Sequence, residues 1–186
     1  MSSLIIDTAT ANLYVGLYGK EKREILEVGK NHAQVLMKKI DEVLNGIKIE
    51  DLDEIIVGVG PGSYTGVRVG VVVAKMFSWT KNIPLKKVSS LYIACSGYEG
   101  IRSVSIDARR GNVFSAIYDS DDSLLLEEAL RPLNEFTKAG LDITEAEYKP
   151  NMEKIIQKAE LVKDPHSLVP NYLRKTEAER NKLHED

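Results

Sequence analysis

The sequence predicts an α/β chain of two similar lobes, and three observations carry that prediction. Short β-rich runs alternate with helical apolar periodicity. A strand–hairpin pattern near the N-terminus restarts about one hundred residues later. The length, 186 residues, suits one compact domain or two small lobes. A shift of one hundred places Ile6-Asp7 on Ile106-Asp107 and Asn12 on Asn112. It also places Leu13-Tyr14 on Val113-Phe114, Gly16-Leu17-Tyr18 on Ala116-Ile117-Tyr118, and Leu26-Glu27 on Leu126-Glu127. Any two hairpins share an apolar rhythm, but that rhythm does not align an Asp, an Asn and a Tyr without a gap. A strand, an Asp and a hairpin, twice over, are the opening of each lobe in actin-like (ribonuclease H-like) architectures.

Each element follows in order. Leu4-Ile5-Ile6 is a short strand ending at Asp7. "NLYVGLYG" and "REILEVG" form a hairpin with "GKEK" as its turn. Asn31 can cap an amphipathic helix in which Ala33, Leu36, Met37, Ile40, Val43 and Leu44 recur at helical spacing, with Gly46 ending it. "DEIIVGVG" is a buried strand, and a second helix runs from about Thr65 to about Trp79. "LKKVSS" is a short strand and "LYIACSGY" a short helix. In the second half, "IRSVSID" is a strand and "NVFSAIYD" with "SLLLEEAL" another hairpin. "NMEKIIQKAELV" reads as a helix, "DPHSLVPNYLRK" as a Pro-bounded extended segment, and "TEAERNKLHED" as a charged, frayed tail.

Charge excludes a general nucleic-acid footprint: 25 basic against 28 acidic residues give a net −3. Local basic pairs remain at Arg109-Arg110 and Arg174-Lys175. The single cysteine, Cys95, cannot form an internal disulfide and fits a reducing compartment. No basic-then-apolar leader opens the chain and no apolar run is long enough to span a membrane, so a cytoplasmic protein is expected.

Residues 58–75, "GVGPGSYTGVRVGVVVAK", pose the main chemical question. A Walker loop needs Lys-Ser or Lys-Thr after its last glycine, and Gly66 is followed by Val67-Arg68. A dinucleotide fingerprint needs its third glycine one residue earlier. The turn residues Gly60, Gly62, Ser63 and Thr65 still place N–H groups at a helix start, where anions bind. The packing alternative is a tight Pro61-Gly62 turn, a Ser63 or Thr65 cap, and a small-residue stripe of Gly66, Gly70 and Ala74 on one helix face. A glycine inside a helix costs about 1 kcal/mol relative to alanine. Close approach of another helix would offset that, whereas a phosphate gives no reason for Gly70.

Asp7 with Thr8, and Asp107, are candidates for a nucleotide hairpin or a metal-bound water. Against this, "DTATANL" has no glycine between Asp7 and Asn12, and "DARRGNV" has only Gly111. The alternative is an Asp that hydrogen-bonds its own turn. His32, His166 and His184 lack metal-ligand spacing. Cys95 lies in an apolar segment, and Ser63 is not in a G-x-S-x-G elbow.

The motifs "IIDTAT", "NHAQVLMKKIDEVL", "GVGPGSYTGVRVGVVVAK", "DARRGNVF" and "PNYLRKTEAE" closely resemble the TsaB (YeaZ) family of bacterial tRNA threonylcarbamoyladenosine biosynthesis subunits. The resemblance covers most of the chain; residues 130–165 carry no motif of it and look shorter than usual. It implies a two-lobed actin-like fold, with an N-terminal, partner-binding lobe over 1–100 and a reduced second lobe over 101–186. It implies a non-catalytic subunit that pairs with the paralogue TsaD, joined by the ATPase TsaE, for threonylcarbamoyl transfer to adenosine 37 of tRNAs reading A-starting codons. No cofactor is expected on this subunit alone; ATP and a divalent metal are expected on the partners. The sequence agrees where "VSSLYIACSGY" lacks the paralogue's H-x-x-x-H pair. In the family the first two helices form the partner contact, which points here to Leu36, Ile40, Gly66, Val69, Gly70, Val73 and Ala74. Gly70→Leu would then block pairing and spare the fold. Alone, such a surface is expected to give a homodimer. Arg109 and Arg110 are the candidate RNA contacts. The alternatives are an ATP-binding actin-like enzyme and a glycoprotease-like peptidase.

Overall fold

The computed structural model describes residues 1–29 and 31–173. In chain order they form β1 (Ser3–Asp7), β2 (Asn12–Tyr18), β3 (Arg23–Val28), α1 (His32–Leu44), β4 (Glu54–Gly58), α2 (Tyr64–Lys81), β5 (Leu85–Val88) and α3 (Ser90–Cys95). β6 (Arg102–Asp107), β7 (Asn112–Tyr118), β8 (Leu124–Pro132), β9 (Leu141–Ile143), α4 (Met152–Lys158) and β10 (Glu160–Leu161) follow. The charged segment 176–186 and the Arg174-Lys175 pair lie outside the described residues. Among those residues no helix is long and apolar enough to cross a membrane.

Two sheets result. The first has strand order β10-β5-β4-β1-β2-β3, the second β8-β7-β6-β9. In each, a first strand pairs antiparallel with a hairpin strand and parallel with a later strand. The strands that the hundred-residue shift superposes, Asn12–Tyr18 and Asn112–Tyr118, have the same bounds. The turn repeats as well: the Ala9 N–H donates to Asp7 Oδ1 at 3.2 Å, and the Arg109 N–H to Asp107 Oδ1 at 2.8 Å. This is the duplicated actin-like α/β fold.

Side-chain alternation on the central strands builds two cores. Leu4, Ile6, Leu13, Val15, Ile55 and Val57 face α1 and α2. Ile5, Tyr14 and Ile56 face the other way, onto α3, α4 and the inner face of the second sheet (Val104, Ile106, Phe114, Ala116). α3 is therefore a wedge between the lobes, and each of its six residues is buried. Cys95 belongs to this core, and burial pushes its thiol up to about 12, so it is not a reactive thiolate at neutral pH.

Two details differ from expectation. Asn31 precedes α1 but makes no side-chain cap, and the helix ends at Asn45 in left-handed backbone (φ 46°), one residue before Gly46. The expected division at residue 100/101 also needs correction. After α4 the chain returns to the first lobe: β10 pairs with β5 (Glu160↔Lys87, Leu161↔Lys86) and covers an edge that would otherwise be unpaired. Val162 and Leu168 pack on the first core. The Asn171 N–H donates to the Val59 carbonyl at 2.7 Å. Residues 162–172 thus form a strap on the first lobe.

Candidate functional site

The glycine block is explained by what lies beneath it. Ser63 caps α2, its hydroxyl accepting from the Gly66 N–H at 3.3 Å. α2 then lies directly on the loop joining β1 to β2. A Cβ on Gly62 would stand 2.1 Å from the Ala9 carbonyl oxygen, on Gly66 2.3 Å from that of Thr8, and on Gly70 2.6 Å from the Thr8 hydroxyl. The Thr8 hydroxyl donates to the Gly66 carbonyl at 2.7 Å and accepts from the Gly70 N–H at 3.0 Å. An uninterrupted helix pairs those two groups with each other. Thr8, a cofactor candidate in the sequence, is instead stitched into the helix ladder.

The stripe predicted to receive a partner therefore receives the chain's own first sheet. Gly70 and Ala74 are buried, Gly66 is covered by Thr8, and Leu36 and Ile40 lie in the first core. These five residues are corrected from interface to interior. A helix backbone can lie this close only where no Cβ intervenes, and the surface it meets belongs to the same chain. Two of the candidate anion donors are already engaged. The Gly60 N–H is taken by Ser90 Oγ at 3.0 Å and the Ser63 N–H by the Ala9 carbonyl at 2.6 Å. Gly62 is closed over by Ala9, and Gly60 is a glycine because its backbone is left-handed (φ 92°). Thr65 stays exposed on the first turn of α2.

The two Asp candidates do not form a common site. Asp7 has no exposed surface. Its Oδ1 accepts from the Ser90 hydroxyl at 2.8 Å as well as from Ala9, and its Oδ2 from the Tyr148 hydroxyl at 2.8 Å. Gly58 makes room for this network: a Cβ there would stand 2.4 Å from Asp7 Oδ1 and 2.8 Å from Ser90 Oγ. Burial holds the Asp7 carboxyl above the ordinary range, and the bonds from Tyr148, Ser90 and Ala9 work against that rise. Asp107 is exposed and pairs with Arg109 at 3.3 Å. Among the described residues no group of three or more His, Cys, Asp or Glu could hold a metal ion. Arg109 and Arg110 occupy left-handed backbone at the exposed β6–β7 turn (φ 65° and 55°), away from α2.

What α2 does present outward is apolar. Tyr64, Val72, Met76 and Trp79 are exposed at helical spacing, Val72 by 64% and Trp79 by 68%. With Thr65, Arg68, Val69 and Val73, Tyr64 and Val72 line a depression of about 390 Å³. Val69 and Val73, both predicted for the interface, thus border the open face. Sequence reasoning missed Tyr64, Arg68, Val72, Met76, Trp79 and Tyr172. The i, i+4 run 64–68–72–76 was the available signal. The strap flanks this face antiparallel to the helix. Tyr172 packs at a tilt against Tyr64 with ring centroids 4.9 Å apart, His166 lies against Trp79 at 5.3 Å, and Lys75 Nζ donates to the His166 and Leu168 carbonyls at 2.8 and 3.1 Å.

Paired lobes with repeated Asx turns and a sealed inter-lobe carboxyl define an actin-like protein, one that leaves an apolar helix face open. The family model described as TsaD: tRNA N6-adenosine threonylcarbamoyltransferase matches residues 26–169. The tRNA threonylcarbamoyladenosine biosynthesis protein TsaB of Bacillus subtilis (strain 168) is 32% identical over 221 aligned positions, covering 96% of each chain. That alignment is longer than the 186 residues here, so this relative carries segments absent from this chain. A Pseudomonas aeruginosa structure described as an uncharacterized protein with similarity to peptidase YEAZ superposes with a TM-score of 0.79 at 23% identity, covering 93% of this chain and 99% of that one. The structure of YeaZ from Pseudomonas aeruginosa gives 0.68 at 27% identity over 75% and 70%. The chain belongs to the TsaB (YeaZ) family.

Proposed function

We propose that this chain works in tRNA threonylcarbamoyladenosine biosynthesis as a non-catalytic, cytoplasmic subunit that docks on the paralogue TsaD, with the ATPase TsaE joining the pair. The observation that supports this is the exposed apolar group of Tyr64, Val72, Met76 and Trp79 on one face of α2; single exposed apolar residues are ordinary, but a cluster on one face marks an interaction surface. The same face is the proposed contact of a homodimer when the chain is alone. ATP and a divalent metal are assigned to the partners, and tRNA reaches this chain through the complex, with Arg109 and Arg110 as its proposed contacts. Co-expression with the TsaD of the same organism is expected to give one co-eluting species on size exclusion. Separate elution with and without ATP and TsaE would rule the reading out.

The repeated Asx turns at Asp7 and Asp107 favour a second reading, a nucleotide-binding enzyme. Tyr148 and Ser90 close over Asp7, so calorimetry of the isolated chain with Mg-ATP is expected to give no binding heat at millimolar nucleotide. Saturable binding there would restore the enzyme reading.

A further inference from the structure

α2 carries no acidic residue in its 18 positions, and its charges are Arg68, Lys75 and Lys81. Lys81 pairs with Glu50 at 3.3 Å. Lys75 is held by backbone carbonyls of the strap. Arg68 is exposed beside the apolar depression and is held only by phenols. Its guanidinium carbon lies 3.8 Å from the Tyr64 ring centroid and 5.6 Å from that of Tyr172. Its Nε donates to the Tyr172 hydroxyl at 2.8 Å and a terminal nitrogen to the Tyr64 hydroxyl. A guanidinium has five N–H donors. Two are used on the phenols, and the others meet no carboxylate among the described residues.

An arginine laid over one ring and hydrogen-bonded to both phenols is partly pre-ordered before any partner arrives, so less entropy is lost on docking. We propose that Arg68 is the specificity determinant of the α2 face, and that the occupant is a non-identical protein presenting a carboxylate to it from an otherwise apolar surface. Charge complementarity selects this occupant. A second copy set α2 against α2 would face Arg68 with a helix that has no acidic residue, so the homodimer is the weaker assembly and gives way to the acidic partner. The strap takes part as well, because Tyr172 sets the position of Arg68. The inference rests on the α2 face being the docking surface.

The test titrates the full chain with its TsaD by calorimetry at low and high salt, using Val72→Asp, Arg68→Gln, Tyr172→Ala and the last two combined. Val72→Asp is expected to abolish binding. Arg68→Gln is expected to weaken it about thirty-fold and to flatten its salt dependence. Tyr172→Ala is expected to weaken the wild type about ten-fold, and the Arg68→Gln background less than about two-fold, since it acts through Arg68. If Val72→Asp abolishes binding while Arg68→Gln changes neither affinity nor salt slope, the carboxylate contact is wrong and the docking face stands. If Val72→Asp has no effect, the docking face itself is wrong. A homodimer that sediments intact in the presence of excess TsaD would make a second copy the occupant and overturn the proposal.

Discussion

A Gly70→Leu variant is expected to lose at least about 3 kcal/mol of folding stability, and to fail to pair only because it fails to fold. From the sequence alone, the same change would be read as a clean interface lesion. The difference lies in which surface the small-residue stripe faces. A Cβ at position 70 would stand 2.6 Å from the Thr8 hydroxyl and 3.6 Å from Ile6 Cγ2, and a leucine adds three more carbons in that direction. Backing away would break the Thr8 bonds to Gly66 and Gly70 and lift α2 off β1. Gly70→Ala tests the same contact more gently. Removing a mid-helix glycine gains about 1 kcal/mol of propensity, so an exposed site would be stabilised; here a net loss is expected. Thr8→Ala in the Gly70→Ala background removes the atom that the new Cβ meets, so the two changes should together cost less than their sum. Urea unfolding of the wild type, Gly70→Ala, Thr8→Ala, their combination and Gly70→Leu measures this. An unchanged midpoint in Gly70→Leu would mean that the stripe is free surface after all.

The strand and hairpin plan was legible because its signals are local. The β-rich apolar run Leu4-Ile5-Ile6, the Asp-to-Asn spacing and the turn residues act within one or two elements. The hundred-residue register was legible for the same reason. The glycine block was legible as packing but not as to its partner. Spacing identifies a face without bulk, while which surface approaches it depends on Thr8 and Ala9, more than fifty residues earlier in the chain. A bare backbone stripe is in fact what a helix needs to lie on its own sheet, and the bulky run Tyr64, Val72, Met76, Trp79 is what that arrangement leaves outside. β10 was illegible because two residues, Glu160 and Leu161, carry no period. The strap gave only a Pro-bounded extended segment, with no hint that Tyr172 meets Arg68 across the fold. The sequence leaves Asp7 open between a nucleotide or metal candidate and a turn residue; its bond from the Ala9 N–H is local, whereas its burial depends on Tyr148, 141 positions away.

That distance makes Asp7 the second sensitive point. Asp7→Ala is expected to lower stability by about 3 kcal/mol, because it strands the buried Ser90 and Tyr148 hydroxyls and the Ala9 N–H without their acceptor. Asp7→Asn keeps an acceptor oxygen and the shape, and the Tyr148 hydroxyl can turn to accept from the amide, so a much smaller loss is expected. The asparagine variant also isolates a pH effect. Burial raises the folded-state Asp7 carboxyl above its unfolded value of 3.8, so the folded chain binds that proton more tightly than the unfolded one. Stability from this group is therefore present below about pH 4 and lost as pH rises through the folded value. Exposed carboxyls act in the opposite sense: Asp53, held down by the Ser2 backbone N–H, and Glu153, held down by Lys22, contribute stability that disappears as pH falls. Wild type alone reports the sum. The difference between wild type and Asp7→Asn, taken from urea midpoints across pH 4 to about 8, cancels those groups and leaves Asp7. The wild type is expected to lose stability relative to Asp7→Asn as pH rises. A difference that stays flat, or grows in favour of the wild type, would mean that the three donors outweigh burial. Asp7 would then be an ionised carboxylate, held low by its hydrogen bonds, at the centre of the inter-lobe contact.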